Sequence, residues 1–241
     1  MNSHSHTIQQ NFYRVVDRIY KAAYQSGRDP DEVKLIVVTK SQPLEKIQSA
    51  LAAGAKRLGE NYVEEANLKI QSVQYEYQPE WHMIGHIQSR KAKAVCESFD
   101  WIHSLDSVKL AMRMNRIAQE AGRILPVLLE FNVSGEKTKF GFDASEKTRW
   151  PELNADIEFI LGFRNLLVKG IMVMPPFDPD PETARPFFRK ACELRDYLIK
   201  SNPEGKWLEL SMGMSNDYEV AIQEGATFVR IGEAILGPRV S

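Results

Sequence analysis

Three short segments of this chain end on residues able to do chemistry. Leu208-Glu-Leu-Ser-Met-Gly-Met-Ser215 and Phe228-Val-Arg-Ile-Gly-Glu233 each pass from apolar, strand-forming residues into glycine and small or polar residues. Turns at strand ends present backbone N–H groups to anions, and the hydroxyls of Ser211 and Ser215 add donors. Gly213 lets the backbone approach a ligand closely. The pair therefore reads as a phosphate cradle. The third segment, Leu35-Ile-Val-Val-Thr-Lys40, ends on a lysine. Partial desolvation at the end of an apolar strand favours the neutral amine, a nucleophile toward aldehydes. A phosphate cradle beside such a lysine is what a pyridoxal phosphate (PLP) site requires. Two plainer readings compete: a rim lysine pointing to water, and an ordinary β-to-α loop in which Ser215, Asn216 or Asp217 caps the next helix.

Arg230 and Gly232 share strand parity, so both can face one side while Ile231 packs on the other. A guanidinium there can donate to an aromatic nitrogen or to phosphate, or pair with a neighbouring carboxylate. His82 and His86 in Trp81-His-Met-Ile-Gly-His86 lie too far apart along a strand to share a metal, and no third ligand is evident. His82 is expected inside the fold and His86 on the rim, with no metal site.

The elements that must position these residues alternate. Apolar, β-rich runs cover 35–39, 57–60, 81–85, 101–105, 126–133, 167–174, 207–210 and 228–231. Helical patterns cover 8–25, 43–53, 62–73, 89–98, 107–121, 153–161, 181–200 and 217–223, several closed by glycine. In 181–200 the inward residues are expected to be Phe187, Phe188, Cys192, Leu194, Leu198 and Ile199. Residues 135–150 read as a long polar loop. Eight strands alternating with helices, with no linker-like break, predict an α/β fold: one (β/α)8 barrel domain over 1–241, an extra N-terminal helix closing one end, and residues 1–7 as a flexible tail. A doubly wound open sheet is the alternative, although the first strand leads into Lys40-Ser-Gln-Pro43 and not a glycine-rich turn. In a barrel, Lys40, Asn61, His86, Asn132, Met174, Ser211, Gly213, Ser215, Arg230 and Gly232 converge on the rim of strand C-termini.

Composition narrows the function. Against 31 Lys and Arg stand 32 Asp and Glu, a formal net charge of −1, which gives no sign of nucleic-acid binding. Two cysteines, Cys96 and Cys192, sit in apolar helical patterns without metal or redox spacing, as expected of reduced thiols in a cytoplasmic protein. No secretory leader or membrane-spanning stretch is expected.

Val37-Val-Thr-Lys40, Gly59-Glu-Asn-Tyr-Val63, Trp81-His-Met-Ile-Gly-His-Ile-Gln88, Gly170-Ile-Met-Val-Met174, Ser211-Met-Gly-Met-Ser215 and Val229-Arg-Ile-Gly232 occur in this order across nearly the whole chain. The ordered set resembles the pyridoxal phosphate homeostasis proteins, the YggS/PROSC group. The resemblance implies a single-domain barrel like the N-terminal domain of alanine racemase, with PLP held as an exchangeable aldimine on Lys40. It implies that Ser211 and the backbone N–H groups of Gly232 and Glu233 hold the phosphate. It places Arg230 opposite the pyridine nitrogen and Asn61 and Met214 beside the cofactor. The sequence departs from the family pattern where Ser41-Gln42-Pro43 replaces Thr-Lys-Pro and where Glu233 stands in place of threonine; the Glu233 carboxylate must then turn away from the phosphate.

An arginine opposite the pyridine nitrogen leaves that nitrogen largely unprotonated and the ring a weak electron sink. The expectation is a PLP-binding carrier or regulator of vitamin B6 and amino/keto-acid homeostasis without dedicated turnover. Apo PLP-dependent enzymes are candidate recipients, and a monomer is expected. The chain is expected to lack the second domain that supplies a racemase's second base. The alternatives are an amino-acid racemase using Lys40 as base, and a regulatory partner protein that senses PLP.

Overall fold

The computed structural model describes residues 3–73 and 76–238. Eight parallel strands form a closed ring: β1 (Lys34–Val38), β2 (Arg57–Glu60), β3 (Glu80–Met83), β4 (Trp101–Leu105), β5 (Leu125–Asn132), β7 (Leu166–Val173), β8 (Glu209–Ser211) and β9 (Phe228–Ile231). The pairings β1–β9 and β4–β5 close the ring, so no strand edge is left open along it. The expected (β/α)8 barrel is the observed fold. Within the expected polar loop, a two-residue strand, β6 (Phe142–Asp143), pairs with the end of β5 through Phe131 and Asn132. A segment this short carries no readable alternation.

The helices α2 (Leu44–Ala52), α3 (Val63–Ser72), α4 (Ala92–Ser98), α5 (Val108–Glu120), α6 (Asn154–Leu161), α7 (Arg185–Ser201) and α8 (Tyr218–Gln223) follow successive strands, and α9 (Glu233–Leu236) follows β9. Helix α1 (Ser3–Gln25) starts five residues before the expected 8, so residues 3–7 of the expected tail are helical, and residues 1 and 2 lie outside the described residues. It buries Ile8, Phe12, Val15, Ile19, Ala22 and Ala23, one stripe at helical spacing. That stripe packs against α2, α8 and α9, which places α1 in the helical layer instead of over a barrel end. In α7, Phe188, Leu194 and Leu198 are buried and Phe187 and Cys192 partly so, but Ile199 is 46% exposed because its neighbour Leu198 takes the inward position.

Strand alternation divides the protein into two interiors. A large apolar cluster lies between strands and helices, whereas Ile36, Leu128, Met172 and Phe228 form a separate small cluster within the ring. Around it the ring is polar: Lys34 pairs with Glu209 near the strand N-termini, and His82, His103, Ser211 and Arg230 occupy the levels above.

Close strand approach depends on Gly170 in β7. A Cβ there would lie 1.9 Å from the Glu209 carbonyl oxygen, at a φ of +157. Gly170→Ala is therefore expected to lower unfolding free energy in urea by about 1–3 kcal/mol. Gly162→Ala, at φ −69 with its nearest contact at 3.4 Å, should stay within about 1 kcal/mol of the parent.

Candidate functional site

A cavity of about 560 Å³ opens at the C-terminal ends of the strands, the end where barrels of this kind carry their sites. Lys40, Asn61, Met214, Arg230, Gly232 and Glu233 all line it. Lys40 lies two residues beyond the end of β1. Val38 and Lys40 share parity and line the cavity, while Thr39 is fully buried on the opposite side of the strand wall. Asn61 follows β2. Its backbone lies so close to Gly85 that a Cβ on that glycine would come within 2.6 Å of the Asn61 Cα. The Asn61 Oδ1 is buried without a hydrogen-bond partner among the described residues, an acceptor with room for a ligand donor beside the lysine.

Arg230 is only 3% exposed. Its Nη1 donates to Ser211 Oγ at 2.6 Å and its Nη2 to the Val173 carbonyl at 3.0 Å. Burial pulls its pKa down to about 10, partly offset by the charges of Asp217 and Glu130. In return, burial and then the Asp106 charge push the Glu130 carboxyl up to about 7, against the pull of Arg230, and Glu130 Oε2 has no partner among the described residues.

Of the residues expected to hold PLP, Ser211 alone does not line the cavity; of the wider set expected on the rim, His86, Asn132 and Gly213 do not line it either. Ser211 is fully buried inside the ring, with Oγ taken by Arg230 and by His103 Nδ1 at 2.9 Å. Its place is beneath the arginine, so the expected contact with phosphate does not follow from this geometry. His103 Nε2 in turn meets His82 Nδ1 at 2.9 Å, and His82 Nε2 faces Glu80 at 3.8 Å. Burial lowers the pKa of both imidazoles, leaving each neutral with one N–H. The Glu80 carboxylate favours that proton on His82 Nε2. It follows that His103 Nε2–H donates to His82 Nδ1 and the Ser211 hydroxyl donates to His103 Nδ1. His82 thus lies inside the ring, as its strand position suggests, and His86 sits on the rim against Asp106 at 2.9 Å. No metal-holding group of side chains occurs among the described residues.

The segments expected to form the anion cradle are Gly213–Asp217 and Gly232–Ala234. Gly213 has φ +91, and a Cβ there would meet Ala221 Cβ at 2.6 Å. Ser215 lines the cavity and its Oγ accepts from Ala234 N at 3.4 Å. It does not cap α8, and neither does Asn216: the N-cap position is Asp217, whose Oδ1 accepts instead from Met214 N at 2.6 Å. Gly232 to Ala234 open the short helix α9, where first-turn N–H groups lack partners within the helix. Glu233 is exposed, so its carboxylate has solvent to turn into. Gln42, at the departure from the family pattern, donates to the Gly237 carbonyl at 3.0 Å, and Lys46 donates to that of Leu236 at 2.9 Å. Together they hold the end of α9. The remaining wall includes Pro176, Phe177, Asp178, Asp180 and Thr183 from the segment after β7. The Pro175-Pro176 pair marked that segment only as a strand end, and nothing in its pattern tied it to the cavity. Asn216 Nδ2 donates to the Asp178 carbonyl at 2.8 Å and joins it to the Gly213–Asp217 turn.

Comparison with known proteins agrees with this architecture. The sequence model of the alanine racemase N-terminal domain matches residues 16–240. A pyridoxal phosphate homeostasis protein of Vibrio alginolyticus is 39% identical over 236 residues, covering 97% of this chain and 98% of its own. The crystal structure of an unknown protein from Bifidobacterium adolescentis, 32% identical, superposes with a TM-score of 0.88, covering 98% of this chain and 96% of that one. PipY of Synechococcus elongatus, solved with PLP bound, is 34% identical with a TM-score of 0.79, covering 92% of this chain and all of its own. On sequence and fold together, this chain belongs to the pyridoxal phosphate homeostasis proteins, within the alanine racemase N-terminal domain family.

Proposed function

We propose that this protein holds pyridoxal 5'-phosphate at the barrel mouth, anchored covalently but reversibly to Lys40. In this reading it acts in the cytoplasm as a monomeric carrier or regulator in vitamin B6 and amino/keto-acid homeostasis, handing PLP to apo PLP-dependent enzymes and not turning over a substrate of its own. One observation carries the reading: a lysine, a buried guanidinium and a glycine-opened helix start line a single cavity. The PLP bound by PipY, a relative of nearly the same length, supports it.

The residues present fit that group. The cavity lies within the range of small-ligand sites. When bound, PLP supplies an aldehyde that condenses reversibly with primary amines and a ring that withdraws electrons from the product. Lys40 supplies the amine. Arg230, bearing its charge below about pH 10, offers only donors, so a ring nitrogen against it has no proton to gain and the ring's electron demand stays low. Ser215 and the N–H groups of Gly232 and Glu233 would hold the phosphate, with Asn61 and Met214 beside the ring. Ser211 acts one layer down by holding Arg230.

The acids in the cavity wall also favour holding over turnover. Asp217, Asp178 and Asp180 each accept a backbone N–H, from Met214, Asp180 and Glu182 respectively, and Glu233 is exposed. No tyrosine, histidine or cysteine lines the cavity among the described residues.

Two measurements test this reading and a third tests the polar interior beneath it. Borohydride reduction of PLP-loaded protein followed by peptide mapping should place the pyridoxyl group on Lys40; scatter over surface lysines would end the proposal. Ser215→Ala should weaken PLP binding by roughly tenfold, the value of about one hydrogen bond to a charged group, while reduction still marks Lys40; unchanged affinity removes Ser215 from the phosphate site. The third concerns Glu130. Its carboxyl is held above the ordinary value of 4.5, at about 7, so the fold keeps this group's full contribution below about pH 4.5 and loses it as pH rises toward 7. Glu130→Gln should therefore gain on the parent by roughly 3 kcal/mol in urea unfolding between about pH 4.5 and pH 8, from about 1.4 kcal/mol per pKa unit. A pH-independent difference contradicts the burial of a titrating carboxyl beneath the site.

A further inference from the structure

Behind Lys40, on the outer side of the strand wall, lies a largely buried charge cluster that does not line the cavity at the barrel mouth. Lys69, on α3, is 7% exposed. Its ammonium donates to the Thr39 carbonyl, to Glu60 Oε1 and to Glu65 Oε1, each at 2.6 Å, which uses all three of its protons. Glu60 is fully buried and also accepts from Thr39 Oγ1 at 2.6 Å. Glu65 Oε1 accepts a second bond, from the backbone N–H of Ser41, at 2.6 Å. The cluster therefore grips the backbone immediately before and immediately after Lys40. Ser41 has φ +56, a left-handed conformation costly for a residue other than glycine, and one of only two such residues among those described. Its bond to Glu65 lies at this costly turn.

We propose that Glu65 and Lys69, braced by Glu60, are positioning residues for Lys40: they hold the Thr39 carbonyl and the Ser41 N–H so that the lysine leaves the strand end directed into the cavity. The proposal rests on the reading of Lys40 as the PLP anchor. Burying Glu60 and Lys69 for this purpose is costly, and burial, with a smaller push from the Glu65 charge, raises the Glu60 carboxyl above its ordinary range despite the hydrogen bonds from Lys69 and Thr39. Placed at both peptide neighbours of one lysine, the arrangement fixes a side-chain origin in a way that apolar packing would not.

Glu65→Ala removes the Ser41 acceptor, and Glu65→Gln restores an oxygen at the same place without the charge. Two readouts are compared in full-length protein: the rate at which apoprotein captures PLP, followed by reduction and mapping, and hydrogen exchange of the Ser41 amide in apoprotein. The expected result is capture slowed about tenfold or more in Glu65→Ala, with the melting temperature little changed and the Ser41 amide exposed to exchange. Glu65→Gln should recover most of both. Capture by Glu65→Ala at the parent rate overturns the proposal. If PLP marks no particular lysine in the parent, the proposed function fails, and the amide decides the clamp alone: a Ser41 amide that exchanges equally fast in parent and Glu65→Ala overturns it, and one deprotected only by the substitution upholds it.

Discussion

A guanidinium enclosed by a ring of strands is the constraint around which the barrel is arranged. An isolated charge at 3% exposure would cost several kcal/mol, so the protein must surround Arg230 with acceptors. It does so with the Ser211 hydroxyl, the Val173 carbonyl and the charges of Glu130 and Asp217. Each of these needs support in turn. Ser211 can spend its lone pair on the arginine because its own proton goes to His103, and His103 can accept because His82 takes its other N–H. Much of the ring's interior is thus a connected polar column ending near Glu80, with a small apolar cluster beside it. The internal bonds of such a column specify one arrangement; His82 Nε2, 3.8 Å from Glu80, and Glu130 Oε2 are left without hydrogen-bond partners among the described residues.

Strand alternation lets chemistry and support occupy opposite sides of the same few residues. Lys40 and Asn61 face the cavity; Thr39 and Glu60, one residue earlier on each chain segment, face the helical layer and meet Lys69. Strands β1 and β2 lie in parallel register through Val37–Leu58 and Val38–Gly59, so the inward pair and the outward pair each come together without any loop having to fold back. A one-residue slip would exchange the two sides, placing Thr39 and Glu60 in the cavity and turning Lys40 toward Lys69.

Much of this was legible because alternation and helical spacing are strong signals. Strands 57–60, 101–105 and 228–231 match the observed elements to the residue, and Gly232 shares the cavity with Arg230 as their parity requires. What the sequence did not show has definite causes. Ser211 and Ser215 are both serines flanking one glycine, and sequence does not show how deep β8 runs; it ends at Ser211, which puts that hydroxyl inside the ring and leaves Ser215 at the mouth. His103 carried no motif, and only its inward parity on a strand pointed to the polar column. The cluster behind Lys40 joins residues from three elements, and helix α3 reads in isolation as a solvated helix bearing Lys69. Helix α1 begins earlier than expected because Ser3 to His6 offer no apolar signal of their own.

The proposed holding role agrees with the way the cavity's acids are bound. A carboxylate that abstracts a proton must have a free lone pair aimed at the substrate and a pKa poised for exchange. Here Asp217 is raised by burial, which suits a base, yet its Oδ1 is committed to the Met214 N–H and its charge to the neighbouring guanidinium. Asp178 and Asp180 stabilise their own turns. The same bonds that fix the walls of the cavity therefore orient these carboxylates and take up part of their accepting capacity. The cavity also presents an amine and a donor-only cation, with the Ser215 hydroxyl and the Asn61 amide beside them, a set suited to capturing an aldehyde that carries an anion and surrendering it to another amine.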